Sequence, residues 1–281
     1  MLFFTATSFR TVSAKTIDFG QESIYASTNP IGERCKVIAN DYYKLCYPEE
    51  LQDDGELAHK DLQQAIANMI KEFGEIDAKV LLKENIDCTV YIYAKPNKNA
   101  SEAMALINSG VESGKYIANL HFLALSKHSP TAQDSAGRIK DKDYFLYLIT
   151  HEYSTIILER LTERKRKGWT LFTAPSWFVQ GYEQYLGLKY SKIGKETLAV
   201  YLKRVKSNPG LIYMDSYGLH IQKVYEGGAL VLAFMNEAYG QEKVHSLLTS
   251  DKPTFFSAME STIDKGDDFA KKWSNWLQSQ R

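Results

Sequence analysis

Strand-like stretches stop at about Ser126, and from Asp143 onward every periodic segment reads as helix. Apart from a helix over Leu62 to Phe73, this order of strands before helices runs against a β/α alternation along the whole chain. It predicts an α+β architecture, with an N-terminal mixed β-sheet carrying helices and a mainly helical C-terminal half. Up to about Pro48 the chain is rich in aromatic and β-branched residues, broken by Asn29-Pro30-Ile31-Gly32. That pattern predicts a strand, a turn, a strand through Cys35 to Ile38 and another near Tyr42 to Cys46. The acidic stretch Glu49 to Glu56 reads as a loop. Leu62, Ile66, Met69, Ile70 and Phe73 then recur at helical spacing and stop at Gly74. Cys88 to Ala94 and Tyr116 to Ser126 read as strands, joined by Lys95 to Gly114 with helical character around Glu102 to Ile107. Ser129 to Lys142 reads as a loop. The expected later helices are Asp143 to Lys165, Pro175 to Leu188, Glu196 to Lys206 and Val224 to Ala238. Glu242 to Leu248, Phe255 to Ser261 and Asp267 to Gln278 complete the series.

The boundaries implied are N-terminal strands over 1–56, an α+β unit over 57–190 and a helical unit over 191–281. With 34 basic and 34 acidic residues the formal net charge is zero, which removes the electrostatic case for nucleic acid. No stretch has transmembrane length. Met1-Leu2-Phe3-Phe4 running to Val12-Ser13-Ala14 reads either as a shortened signal peptide, which would mean export, or as a first strand. Cys35, Cys46 and Cys88 have no zinc-cluster spacing. Cys35 and Cys46 could pair across two antiparallel strands in an oxidising compartment, and the sequence leaves that open.

Chemistry concentrates in His151-Glu152-Tyr153-Ser154-Thr155. In H-E-x-x-H on a helix, two imidazoles four residues apart grip Zn²⁺, and the glutamate acts as general base on the metal-bound water. Here His151 and Glu152 are in place, and the second ligand position holds Thr155. A threonine hydroxyl is not ionised near neutral pH and is too short to stand in for an imidazole. The alternative is a polar pair near the end of a mostly buried helix.

Two further segments bear on that choice. Ala174-Pro175-Ser176-Trp177-Phe178-Val179-Gln180-Gly181-Tyr182-Glu183-Gln184-Tyr185 resembles the P-x-W-(F/L)-x-E-G-x-A-E-Y segment of the gluzincin metallopeptidases. Tyr225-Glu226-Gly227-Gly228-Ala229 is similar to that family's Y-x-x-G-(A/G) helix. The resemblance covers the chain from about Leu57 onward and implies a gluzincin-like fold. It places the third zinc ligand at Gln180, whose neutral amide is a far weaker ligand than a carboxylate. It also makes Tyr225 the candidate oxyanion donor, against the alternative of a buried tyrosine at a helix start. In gluzincins the strand before the zinc helix is a sheet edge that pairs with extended substrate, and Tyr116 to Ser126 occupies that place.

The function these residues predict is a degenerate metallopeptidase-like protein that binds a peptide or protein in its cleft, without catalysis and without a cofactor. The alternative is an active zinc peptidase with a rearranged site. In it Glu183, one turn beyond Gln180, would reach toward His151, and a further donor would come from His128, His220 or Glu226. Glu152 and Tyr225 would then be catalytic. A metal-free acid–base pair of Glu152 with Tyr225 is a third and more remote option.

Overall fold

The computed structural model describes residues 35–95, 105–128, 140–163, 168–215 and 218–280. The N-terminal segment, most of the loop expected over Ser129 to Lys142 and residues 164–167, at the expected end of the Asp143 helix, lie outside the described residues.

A five-stranded sheet forms first, from β1 (Cys35–Ala39), β2 (Lys44–Pro48), β3 (Ile86–Tyr93), β4 (Ala105–Glu112) and β5 (Lys115–Leu123). Its order is β1-β2-β3-β5-β4. The three central strands run parallel and the two outer ones antiparallel to their neighbours, so the sheet is mixed. The register sets Cys88 beside Ala118, Val90 beside Leu120 and Ile92 beside Phe122, all buried on one face. Two long helices cover the sheet: α1 (Gln52–Phe73) lies over β2 and β3, and α3 (Lys142–Glu163) over β4 and β5. A shorter helix, α2 (Glu75–Lys83), follows α1 after Gly74, whose φ of 87° suits glycine.

The C-terminal half is helical: α4 (Ser176–Lys189), α5 (Gly194–Ser207), α6 (Val224–Tyr239), α7 (Gln241–Leu248), α8 (Phe255–Thr262) and α9 (Gly266–Ser279). One hairpin, β6 (Ile212–Asp215) with β7 (Gly218–Ile221), sits just before α6. The fold is therefore α+β, with an N-terminal mixed sheet and a helical C-terminal half. Phe269 and Trp273 bury the inner face of α9 against Phe234, with Trp276 beside them.

Four expectations need correction. Glu49 to Glu56 is not a loop, because α1 already begins at Gln52. Asp53 and Asp54 suit a helix's first turn, and Gly55 allows the Tyr47 ring to pack where a Cβ would lie 2.6 Å away. The Glu102 to Ile107 region is not helical where it is described. Ala105 onward is β4, returned into β5 by a two-residue turn in which Ser113 (φ 51°) and Gly114 (φ 79°) both take positive φ. Tyr116 to Ser126 is consequently not a sheet edge: β5 is flanked by β3 and β4, and among the described residues the outer strands are β1 and β4. Finally, α2 and the β6–β7 hairpin had no counterpart in the sequence reading.

Cys35 and Cys46 lie on neighbouring antiparallel strands with no disulfide between them, and Cys46 stands opposite Val37. Burial, with Cys35 alongside, pushes the Cys46 thiol up to about 11.

Candidate functional site

The middle of α3 carries His151 and Glu152, and α4 crosses α3 with Gln180, Glu183 and Gln184 buried. Helical spacing puts residues i, i+3 and i+4 on one face, so Gln180, Glu183 and Gln184 share a stripe of α4. Thr155 Oγ1 donates to Glu183 Oε1 at 2.8 Å, while the other oxygen of that carboxyl lies 3.9 Å from His151 Nε2. Glu152 Oε1 lies 4.0 Å from the same nitrogen. The sequence-predicted residues His151, Glu152, Thr155 and Glu183 therefore come together. Gln180 is buried on α4 and does not line the adjoining cleft.

That cleft has a volume of about 590 Å³, within the range of roughly 300–1,000 Å³ common for ligand sites. Its floor is α3, through Tyr144, Tyr147, Leu148, His151 and Glu152. One wall comes from Gln184 and Tyr201, and the other from the entry to α6, Gln222 to Glu226, with Lys140 at the rim. Tyr225 stacks on His151 with ring centroids 6.0 Å apart, so the Y-x-x-G-(A/G) segment does reach the His-Glu pair.

A second hydrogen-bond chain, unforeseen from the sequence, runs beside the first. The Tyr147 hydroxyl donates to Gln184 Oε1 at 2.6 Å, and Gln184 Nε2 donates to the Tyr201 hydroxyl at 2.9 Å. The signal was present, because Tyr147 precedes His151 by four residues and Gln184 follows Gln180 by four. Tyr201, from another helix, carried none.

Burial sets the charge state. It pushes His151 down to about 4 and Glu152 up to about 8, and raises Glu183 well above the ordinary carboxylate range. Near neutral pH the imidazole is neutral and the Glu152 carboxyl largely protonated. Burial and the neighbouring Glu152 and Glu183 hold the Tyr225 hydroxyl protonated too.

The three residues suggested as replacement donors separate. Glu226 lines the cleft but is engaged by Arg204 at 2.8 Å and by Lys223 at 3.7 Å. His128 ends the turn after β5 and His220 stacks on Tyr213 in the hairpin, and neither lines the cleft. The donor set does not fit a catalytic zinc, which takes three protein ligands. It offers one imidazole, a hydroxyl in place of the second, and a carboxyl that already accepts that hydroxyl's proton. Among the described residues no group of three or more His, Cys, Asp or Glu is placed to hold a metal ion. Likewise, no described helix is long and apolar enough to cross a membrane.

No protein-family profile matches the sequence, and no curated protein matches it. Among solved structures the chain is similar to Legionella pneumophila aminopeptidase A in complex with aspartic acid, at 13% identity and a TM-score of 0.47. The likeness covers 85% of this chain and 28% of that one, so this chain spans under a third of that protein's length. A likeness of this degree says nothing of the chemistry here.

Proposed function

We propose that this chain is a gluzincin-like protein that keeps a peptidase-type cleft and uses it to bind a peptide or protein segment without metal-dependent catalysis. The observation that supports the reading is the Thr155–Glu183 hydrogen bond. Where the working motif has a second imidazole sharing a metal with the first, this chain has a hydroxyl that satisfies a buried carboxyl directly. A buried carboxyl without such a partner costs several kcal/mol, of order 1–3 even when neutral. Thr155 thus stabilises the metal-free arrangement. Glu152 has no metal-bound water to activate, and its largely protonated carboxyl is suited to donating a hydrogen bond into the cleft. Because β5 is flanked by β3 and β4, an extended partner would not add along it.

A second reading, an active zinc peptidase with a rearranged site, draws on the 3.9 Å approach of Glu183 to His151. Elemental mass spectrometry on untagged protein purified without chelators, beside His151→Ala, decides between them. Near-stoichiometric zinc that disappears in the variant would replace the first reading with the second. Zinc in neither sample, with saturable binding of synthetic peptides, is the expected result.

A further inference from the structure

We propose that Cys35 and Cys46 are a thiol–disulfide exchange site, in which a small-molecule disulfide reversibly bridges the outer strand β1 to β2. The site is independent of the cleft and of anything bound there.

Three observations converge on the pair. First, the β1–β2 register sets Cys46 opposite Val37, so Cys35 lies diagonally across from Cys46 on the same face of the sheet. Leu45 and Tyr47 are buried toward α1, where the Tyr47 ring packs on Gly55, and Cys46 between them points to the other face. Second, the side chains meet. The two thiols are hydrogen-bonded to one another, and both act on the Tyr91 hydroxyl, which burial and then Cys46 and Cys35 raise. Tyr91 is the register partner of Cys46 on β3, so the three side chains form one cluster. Third, the thiols differ in access. Cys35 is partly exposed and Cys46 only 3% exposed. An incoming disulfide therefore meets Cys35 first, and Cys46 resolves the product.

The exchange balances without any further oxidant. The Cys35 thiol gives up its proton, and its sulfur attacks one sulfur of the small disulfide. That S–S bond breaks, and one small thiol leaves with the proton. The Cys46 sulfur then attacks the mixed disulfide at Cys35, loses its own proton and expels the second small thiol. Two protein thiols are oxidised to one disulfide, and one small disulfide is reduced to two thiols. Diagonal cross-strand neighbours stand roughly 7–8 Å apart at Cα, beyond the usual disulfide span of about 4.4–6.8 Å. Bridging them draws β1 inward, which an outer strand paired with β2 alone among the described residues permits, and a bridge under such tension is readily reduced.

The full chain is incubated with oxidised glutathione, quenched in acid, and read by intact mass and peptide mapping. The expected product has lost two hydrogen atoms, carries no glutathione and joins Cys35 to Cys46, with Cys88 still a thiol. An excess of reduced glutathione should restore both thiols. Cys88→Ser should behave as wild type, while Cys46→Ser should stall with glutathione attached at Cys35. Wild-type protein that stays reduced, or that keeps glutathione at Cys35 unresolved, would overturn the proposal. A bridge that resists excess reduced glutathione would overturn its reversibility.

Discussion

Gly181 on α4 and Gly228 on α6 meet backbone against backbone: a methyl group on Gly181 would lie 2.5 Å from the Gly228 Cα and carbonyl carbon. The crossing draws the start of α6 down onto α3, and through it Tyr225 comes to rest on the His151 ring. Both glycines belong to the motifs that first suggested the fold. Their shared role is to let two helices touch without side chains between them.

Substitution at that contact has nowhere to go, since the obstacle is backbone and not the flexible end of a side chain. Gly181→Ala is expected to cost at least about 2 kcal/mol of unfolding free energy, in line with overpacked cores. Gly210→Ala, whose added methyl would meet only the Asn208 side chain at 3.5 Å, should stay within about 0.5 kcal/mol of wild type. Urea midpoints of both variants check the pair, and a tolerated Gly181→Ala would refute the close crossing.

Glu152 gives a pH signature. Burial lifts its carboxyl from an ordinary value of 4.5 to about 8, so the folded chain prefers it protonated. The stability tied to that proton is fully present below about 4.5 and is lost as pH rises through about 8. Glu152→Gln, neutral at every pH, should match wild type near pH 4. At pH 9 it should be the more stable by about 2 kcal/mol or more. Thermal melts across that range measure the crossover, and a pH-independent difference would count against the buried, protonated carboxyl.

Thr155→His tests the inherited frame directly. Glu183 already points at position 155 and lies 3.9 Å from His151, so a second imidazole there would complete a His, His, Glu set without help from Gln180. The variant is expected to take up zinc near stoichiometrically and to gain thermal stability when zinc is added. Adding Gln180→Glu should contribute little, since Glu183 already supplies the carboxylate of that set. A folded Thr155→His variant that ignores zinc would show that α3 and α4 are not in the assumed register.

Glu72 is the fourth case. Its fully buried carboxylate binds Lys189 Nζ at 2.7 Å and His245 Nε2 at 3.3 Å, and accepts the Tyr190 hydroxyl. Burial pushes its pKa up, but the hydrogen bonds from His245, Lys189 and Tyr190 together outweigh this and leave it below the ordinary range. Its contribution is present above about 4.5, the ordinary value, and fades as pH falls below that. Glu72→Ala is expected to cost roughly 3 kcal/mol at pH 7, the scale for breaking a buried ion pair. Chemical denaturation at pH 7 and pH 3.5 should show the gap shrinking in acid.

Helices such as α5 and α9 were legible because they bury one face and carry their own period. Buried all round from Trp177 to Leu188, α4 was legible from its motif, and the His-Glu pair was legible because its chemistry is local. The sheet edge was not. Placing it depended on the hairpin between β4 and β5, whose Ser113-Gly114 turn is a recognised signal that the helical look of Glu102 to Ile107 concealed. Once that hairpin was missed, β5 took the outer place that belongs to β4. Within the site, spacing on one helix put Glu183 one turn beyond Gln180 on the same face, and its carboxyl lies 3.9 Å from His151 and accepts the Thr155 hydroxyl. The Tyr147–Gln184–Tyr201 chain joins three helices, and no periodicity within a single segment encodes a meeting of three.

The Glu72 cluster also bears on the order in which the molecule can be completed. It joins α1 to residues 117, 118 and 173 positions further along the chain. A ribosome releasing this protein exposes α1 long before His245 exists, and until then the Glu72 carboxylate is best served by water. The first helix therefore waits on the seventh, and the sheet side cannot reach its final stability ahead of the helical side. The contacts of Glu72 are complete only once α7 has been made.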